Sequence, residues 1–597
     1  MDSLSLNSHL IYINAPPNSR SQTRFACSVV AGTPSSLNAV VRRSGNYKPS
    51  IWDHHYLLSL ENVHAKDKRV GERAESLKES VRKTLHETEG PLRQLELIDN
   101  LQRLGISYHF MPEIHNILAE IYDKNTKNSR HYRKEEDLHT RALGFRLLRD
   151  HGFHVTQVNY ADVFGDLEDE EKMKTYQEDT DVDVKGLLST YEASYLSTGS
   201  DTRLMKIGSE AAERLRESIV TADNGDGTKS YVSETVARAL NMPYHWRARR
   251  FEARWYIDVY GMKHDMDPVL LELAKIDFNM VQATHQEEVK YISSWWNNSG
   301  LKQLHFARDR AMESYLWTVG LLSEPEFGYY RQIFAKIIVL ITTIDDIFDV
   351  YGTIEELVAF TKATESWDVH CLEELPEYMR LCFLVMYNET NQIGQDVLRA
   401  KNFNVIPYLK KSWADLVKAY LTEAKWYKNG YKPSLREYMQ NAIISISTPT
   451  ILLQSFCVLS DQISKETLDT LSEHPQPLVR CCATVFRFAD DLGTSTDELA
   501  RGDVPKSIQC YMHETGASEA EARAHVKQMI RDTWEEINRE RTARGSTSLP
   551  RRFIEVAMNL ARMSLCMYQY GDGHGCPDKA NTVDRIRSLL IDPIPLD

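Results

Sequence analysis

From residue 42 to the C-terminus, apolar residues recur at three- and four-residue spacing, and the strict alternation of strands is scarce. Leu95 to Leu104 and Asp137 to Leu148 carry this pattern, and no internal repeat of fixed period accompanies it. Glycine is low, at 27 residues, which suits helices joined by short loops. The chain therefore reads as all-α. At 597 residues it is too long for one hydrophobic core, so two sizeable helical domains are expected. A boundary falls near residues 261 to 268. There Gly261 and the polar run Lys263-His264-Asp265 precede Asp267 and Pro268, an N-cap residue with proline in the first helical position. The N-terminal domain then covers residues 42–265 and the C-terminal domain residues 266–597. Further turn chemistry stands at Thr221 to Lys229 and at Ala543 to Ser548.

Residues 1–41 differ in kind. They hold eight serines, two arginines (Arg20 and Arg24), the single acid Asp2, and neither Glu nor Lys. Such Ser-rich, acid-poor composition is that of an organelle transit peptide. A secretory signal would need a longer apolar core than Leu10-Ile11-Tyr12-Ile13. A chloroplast-type transit peptide is expected, in preference to a disordered N-terminus with no address. The net charge of -14 argues against a general nucleic-acid binder, whose partner demands clustered Lys and Arg. No apolar run approaches the roughly 20 residues that span a bilayer, Ile337 to Ile341 being far too short, so no membrane partner is expected. The nine cysteines include no C-x-x-C pair, and the adjacent Cys481 and Cys482 are poorly placed for bridging or for zinc. Cysteine thus serves as a small hydrophobe in a reducing compartment, and any metal should have oxygen ligands.

Oxygen ligands are concentrated in two places. In Ile341-Thr342-Thr343-Ile344-Asp345-Asp346-Ile347-Phe348-Asp349, a core-forming helix ends in three carboxylates. Asp345 and Asp349, at i and i+4, share a face about 6 Å apart along the axis. Their mutual repulsion and desolvation are relieved by divalent cations, and carboxylate oxygen suits Mg²⁺ or Mn²⁺. The competing reading is an acidic helix end exposed to solvent. The second stripe lies in Phe488 to Glu498, where Asp490, Thr494 and Glu498 fall at i, i+4 and i+8. Two such stripes facing each other would form a pocket for two or three metal ions. The neighbouring cations Arg308, Arg310, Arg487, Arg501 and Lys506 suit an anionic ligand, since guanidinium forks grip phosphate oxygens in pairs. The competing reading of each is a surface ion-pair partner, and for Arg501 the two readings stand level.

Together these residues resemble the class I terpene synthases of plants, in the monoterpene (plastidial cyclase) branch. The resemblance rests on Asp345-Asp346-Ile347-Phe348-Asp349, on Asp490 to Glu498, on Arg308-Asp309-Arg310, and on Arg501-Gly502-Asp503-Val504-Pro505-Lys506. It includes Arg42-Arg43 followed after eight residues by Trp52, which is similar to the tandem-arginine motif of plastid monoterpene cyclases. It extends through Phe145-Arg146-Leu147-Leu148-Arg149 and Pro243-Tyr244-His245-Trp246-Arg247, and so covers the chain from Arg42 onward. The resemblance implies an N-terminal helical barrel without catalysis of its own and a C-terminal catalytic bundle. It implies three Mg²⁺ ions, with Asp345 and Asp349 as ligands on one side, assisted by Asp346, and Asp490, Thr494 and Glu498 on the other. Arg308, Arg487 and Lys506 would grip the diphosphate, and the substrate would be geranyl diphosphate, turned over by a monomer or weak homodimer. Cyclases that work by protonation carry D-x-D-D; Asp179-Thr180-Asp181-Val182-Asp183 lacks the final adjacent pair.

An allylic cation released in such a pocket must be kept from water and offered π faces. Trp317, seven residues after Arg310, is well placed for this, with Tyr568 and Tyr420 as weaker candidates, Tyr420 being equally readable as core. Ser445 to Pro449 interrupts a helical pattern and is expected to break a helix on the pocket wall. Arg42 and Arg43 are expected either to close the pocket as a lid or simply to pin an N-terminal strand. Gly571-Asp572-Gly573-His574-Gly575 is a mobile lid element or a loop with no role. A cyclic monoterpene or a bornyl diphosphate-type product is expected, with an acyclic alcohol of the linalool type or a sesquiterpene from farnesyl diphosphate as alternatives. A chain-elongating prenyltransferase would carry a second D-D-x-x-D, where this chain has Thr494 and Glu498. A non-catalytic helical scaffold that binds partner proteins through its acidic patches is the remaining rival.

Overall fold

The computed structural model describes residues 42–61, 67–127, 137–155, 180–199, 201–222, 230–473, 476–500, 504–542 and 549–596. The expected transit peptide, Arg501, the Ala543–Ser548 loop and all but Thr221 and Ala222 of the 221–229 turn lie outside the described residues. Among the described residues there is no strand, and the one β-type pairing is an isolated bridge between Gln569 and Gly571. The fold is all-α, as its periodicity predicts.

The helices that bear on function are α1 (Leu138–Asp150), α2 (Arg249–Tyr260), α3 (Pro268–Asn298), α4 (Ala311–Leu321), α5 (Gly328–Asp346) and α6 (Ile406–Asn429). They continue with α7 (Leu435–Ser445), α8 (Thr448–Leu459), α9 (Pro477–Ala500), α10 (Glu519–Thr542) and α11 (Arg551–Tyr568). The start of α3 follows from its first residues: the Asp267 carboxylate accepts the Val269 N–H, and Pro268 occupies a first-turn position that needs no donor. Helix α3 ends at Asn298, with Ser299 as its C-cap and Gly300 next in the left-handed region at φ 84°. Between these ends it buries Leu273, Ile276, Val289, Ile292 and Trp296, and it packs against α2, α4, α5 and the helix Lys68–Glu87. The helix break at residues 261–267 is therefore present, while one apolar core runs across it from Leu57 to Ile594.

Helices α4, α5, α8, α9 and α11 pack side by side, α9 against α11 and α10, α4 against α5 and α11, α8 against α9 and α11. Every residue of α4 is buried, and so is every residue of α5 from Ile337 to Ile344. The stretch Leu435–Leu459 corrects one expectation: it is 25 residues long and its most apolar 18-residue window has a mean hydropathy of 1.8, long and apolar enough for a bilayer. Yet it is two helices, broken at Ile446 and Ser447, with 78% of its most apolar window buried inside the protein. The eight described cysteines are free thiols, six of them buried.

Candidate active site

One cavity, about 880 Å³ including its mouth, collects both acidic stripes. Asp345 and Asp349 line one wall, and Asp490, Thr494 and Glu498 line another. The first stripe is not a plain α-helix, because α5 widens after Asp346 into a π turn over Ile347–Tyr351 that carries Asp349. Asp346 does not line the cavity. It is fully buried behind the wall, where it accepts the Arg308 backbone N–H at 2.7 Å and lies 2.8 Å from Arg308 Nε. Burial raises its carboxyl to about 6, against the pull of Arg308. The other end of the same guanidinium donates to Asp345 at 2.6 Å.

The second wall is built on the same logic. Arg487 donates to Asp490 and lies 3.2 Å from buried Asp491, whose carboxylate also accepts the Tyr438 hydroxyl and the Ser507 N–H at 3.0 Å. Lys506 Nζ lies 3.6 Å from Glu498, and Thr494 donates its hydroxyl to the Asp490 carbonyl one turn back. Lys506 is the N-cap residue of the helix Ser507–Thr515, so a helix N-terminus meets this wall. Two acidic residues absent from the expected set also line the cavity: Glu423 on α6, which accepts from Asn441 and Ser445, and Asp572. Oxygen donors alone make up this acidic set, which suits hard divalent cations. Among the described residues no three carboxylates are already close enough to chelate one ion. The walls instead carry paired cations, Arg308 on the first and Arg487 and Lys506 on the second, contacts that metal ions plus an anion would replace.

The depth of the cavity is aromatic. Trp317 stacks on Phe486 with ring centroids 4.9 Å apart, and Tyr568 lies 6.2 Å from Trp317 and 6.3 Å from Phe486. Tyr420 lines a separate stretch of wall beside Phe348. Ile338, Ile341, Ile451 and Leu560 supply apolar surface. His574 accepts or donates a 3.0 Å bond with Thr342, and burial with Arg308 nearby drives its pKa down to about 3, so it is neutral here. The expected break in the apolar α7–α8 stretch is present. Ser447 adopts φ 65°, a left-handed conformation costing about 1–2 kcal/mol, and Pro449 lacks the N–H that would continue the helix. Ser445, Ile446 and Ser447 are wall residues.

The N-terminal segment fastens onto the same site. Arg42 makes a two-pronged pair with Glu356 at 2.7 and 2.8 Å and donates to the Tyr351 carbonyl at 3.0 Å. Arg43 donates to the Asp349 carbonyl at 3.0 Å. Tyr47, which sequence reasoning passed over, lies beneath the Arg308 guanidinium at 4.7 Å. Arg310 is not in the cavity lining; it donates to the carbonyls of Lys48 and Gly575 and so ties the segment to the glycine-rich loop. That loop is knitted by Asp572, which accepts the N–H groups of His574 and Gly575.

A helical pocket with oxygen-ligand walls, guanidinium groups at those walls and an aromatic interior fits a metal-dependent enzyme acting on an anionic, largely apolar small molecule. Profiles for the "Terpene synthase family, metal binding domain" and the "Terpene synthase, N-terminal domain" match residues 297–536 and 51–240. The chain belongs to the terpene synthase family, and it is a lyase that binds divalent metal. Chloroplastic 1,8-cineole synthase 1 of Arabidopsis thaliana is 57% identical over 606 residues, covering 100% of this chain and 99% of the relative. A solved limonene synthase with 2-fluorolinalyl diphosphate superposes with a TM-score of 0.87 at 42% identity, covering 93% of this chain and 100% of that one. Isoprene synthase from grey poplar leaves, solved with three Mg²⁺ ions and dimethylallyl-S-thiolodiphosphate, gives 0.80 at 38% identity over 91% and 99% of the two chains. Like its chloroplastic relatives, this protein is a plastid enzyme.

Proposed function

We propose that this chain is a magnesium-dependent monoterpene synthase that ionises geranyl diphosphate and turns the resulting cation into a cyclic monoterpene or a bornyl diphosphate-type product. The observation that carries the reading is the polarity of the cavity: two cation-paired acidic walls open onto a Trp317–Phe486–Tyr568 interior. Residues 42–265 serve as the N-terminal helical domain, including the segment that crosses the site, and residues 266–597 as the catalytic domain.

When bound, Mg²⁺ or Mn²⁺ held by Asp345, Asp349, Asp490, Thr494 and Glu498 would offset the charge of a departing diphosphate. Asp346 contributes from behind by fixing Arg308. Arg308, Arg487 and Lys506, already concentrated at the walls, exchange their carboxylate partners for diphosphate oxygens. As the C–O bond breaks, the electron pair leaves with the diphosphate and the allylic carbon becomes cationic. Trp317 and Tyr568 then present π faces that attract this cation without attacking it. The apolar walls exclude the bulk water that would trap it. Ile338 offers no hydroxyl for water positioning, which favours a hydrocarbon over a cyclic alcohol or ether.

Purified protein incubated with geranyl diphosphate and Mg²⁺ should release diphosphate together with volatile ten-carbon products. Predominantly acyclic alcohols would favour the linalool-type alternative, and turnover of farnesyl diphosphate alone would replace the monoterpene reading. No metal-dependent turnover of either substrate would refute the proposal.

A further inference from the structure

A second cavity, about 1740 Å³ including its opening, lies between α1 and α2 on one side and α10 and α11 on the other, and it shares no lining residue with the first. Its charge is lopsided. Arg249, Arg250, Arg541, Arg551, Arg552 and Arg562 line it, against the carboxylates of Asp150, Glu324 and Glu555. Glu555 pairs with Arg551 and Arg552 at 3.2 and 3.3 Å, and Glu324 with Arg552 at 3.5 Å. Asp150 is left to serve Arg249 and Arg541, each at 3.3 Å, with His245 at 4.0 Å.

The two most deeply buried arginines have neutral acceptors. Arg562 donates to the His245 carbonyl and to Asn559, both at 2.8 Å. Arg250 donates to the Phe278 carbonyl at 2.8 Å, with its guanidinium 3.7 Å over the Phe278 ring. Asp277, whose field reaches Arg250, already accepts the Tyr108 hydroxyl and binds His109, both at 2.7 Å. Arg249 Nη1 and Arg250 Nε are buried donors with no hydrogen-bond acceptor among the described residues. Burial, reinforced by Arg249 and Arg541, pushes Arg562 down to about 9, and burial pushes Arg250 to about 10. His245 falls well below its ordinary value through burial and Arg562. A guanidinium keeps its proton in proteins, so the two arginine shifts mark buried positive charge whose lost hydration the fields of Asp150 and Asp277 do not offset.

Arginines that served only to join the surrounding helices would be matched by carboxylates, as Arg331 is by Glu288 elsewhere in the fold. A shortage of acceptors around convergent forks fits a ligand that brings its own oxygens. Apolar surface from Met111, Leu321 and Met558 lines the same space. We propose that this second cavity binds a diphosphate group, either free or at the head of a prenyl chain, on Arg249, Arg250, Arg541 and Arg562. The site is separate from the reaction centre and needs no metal.

Titration calorimetry on the full chain in metal-free buffer tests this, with inorganic diphosphate in one arm and geranyl diphosphate in the other. One binding event should appear, and replacing Arg249 with Met should weaken it about tenfold, the worth of one charge-assisted contact. Asp150→Asn removes the competing carboxylate and should tighten binding, which decides the matter if Arg249→Met fails to fold. The double variant Arg308→Ala and Lys506→Ala, in the first cavity, should leave this event unchanged. Tighter binding of geranyl diphosphate would assign the apolar walls to a prenyl chain, and equal affinity would assign the site to the free anion. No metal-free binding, or binding that is lost with Arg308 and Lys506 and indifferent to Arg249 and Asp150, overturns the proposal.

Discussion

Glu313 sits in the first turn of α4 with no solvent exposure, beside Arg310 and against the Trp52 indole that anchors the N-terminal segment. Burial raises its carboxyl from 4.5 to about 7, because removal from water penalises the charged form more than Arg310 favours it. A shift of this size corresponds to about 3 kcal/mol. The folded state therefore binds a proton more tightly than the unfolded chain. The contribution to stability is fully present below about pH 4.5 and is lost as pH rises through about 7. Replacing Glu313 with Gln keeps the shape and removes the titration. The variant should gain on the native protein as pH rises from 4.5 to 7, to a limit of about 3 kcal/mol near pH 8. Denaturant midpoints and thermal unfolding of both proteins at half-unit pH intervals would measure the gap. A gap that does not change with pH, or a native protein more stable than Glu313→Gln at pH 8, would refute the reasoning.

Asp345→Ala or Glu498→Ala should lower metal-dependent turnover on the order of a hundredfold or more with an unchanged circular dichroism spectrum, and undiminished kcat at saturating Mg²⁺ would contradict the assignment of both walls. Deleting residues 1–41 should leave turnover and thermal stability intact, whereas loss of folding would make that segment structural. Replacing Arg42 and Arg43 together with Ala should preserve metal dependence and diphosphate release while shifting products towards acyclic, water-trapped alcohols. Slower diphosphate release with an unchanged product ratio would place these arginines in ionisation itself.

The two oxygen stripes were legible because helical spacing carries them: Asp490, Thr494 and Glu498 fall one turn apart, and the structure puts all three on one wall. The helix start at Asp267-Pro268 and the break at Ser447 were legible for a similar reason, since capping and proline chemistry are local. The role of Asp346 was not. Whether it faces the cavity or Arg308 depends on where the Arg308 loop lies, 38 positions away in the chain. Glu423 was missed because a single acid in a helix looks like a solvated one; its spacing of three from Tyr420, on the same face, was the available signal. Tyr47 was passed over inside the tandem-arginine segment for want of any local signal, since its partner Arg308 is remote in sequence. The lopsided cavity between α1, α2, α10 and α11 was also illegible, because its arginines come from stretches that only the fold brings together.

The placement of the N-terminal segment joins closure of the site to the geometry of one acidic wall. Arg43 and Arg42 donate to the carbonyls of Asp349 and Tyr351, in the widened turn after α5, so they hold the backbone that carries a metal-binding side chain. Tyr47 lies against Arg308, whose guanidinium reaches Asp345 and Asp346. The Lys48 carbonyl takes Arg310, which also holds Gly575 in the loop that presents Asp572 and His574 to the cavity. Each of these contacts is modest: a partly buried ion pair such as Arg42–Glu356 is worth about 1 kcal/mol, and a hydrogen bond from a guanidinium to a carbonyl about 1.5–3 kcal/mol. No single one fixes the segment, so it can be displaced without unfolding the core beneath it. Two of the partners, Asp349 and Arg308, line the cavity itself. An anion that drew Arg308 away from Asp345 would disturb the Tyr47 contact directly, and a shift of Asp349 would be felt at Arg43. Occupancy of the site and the fit of the segment over it are therefore coupled through shared residues.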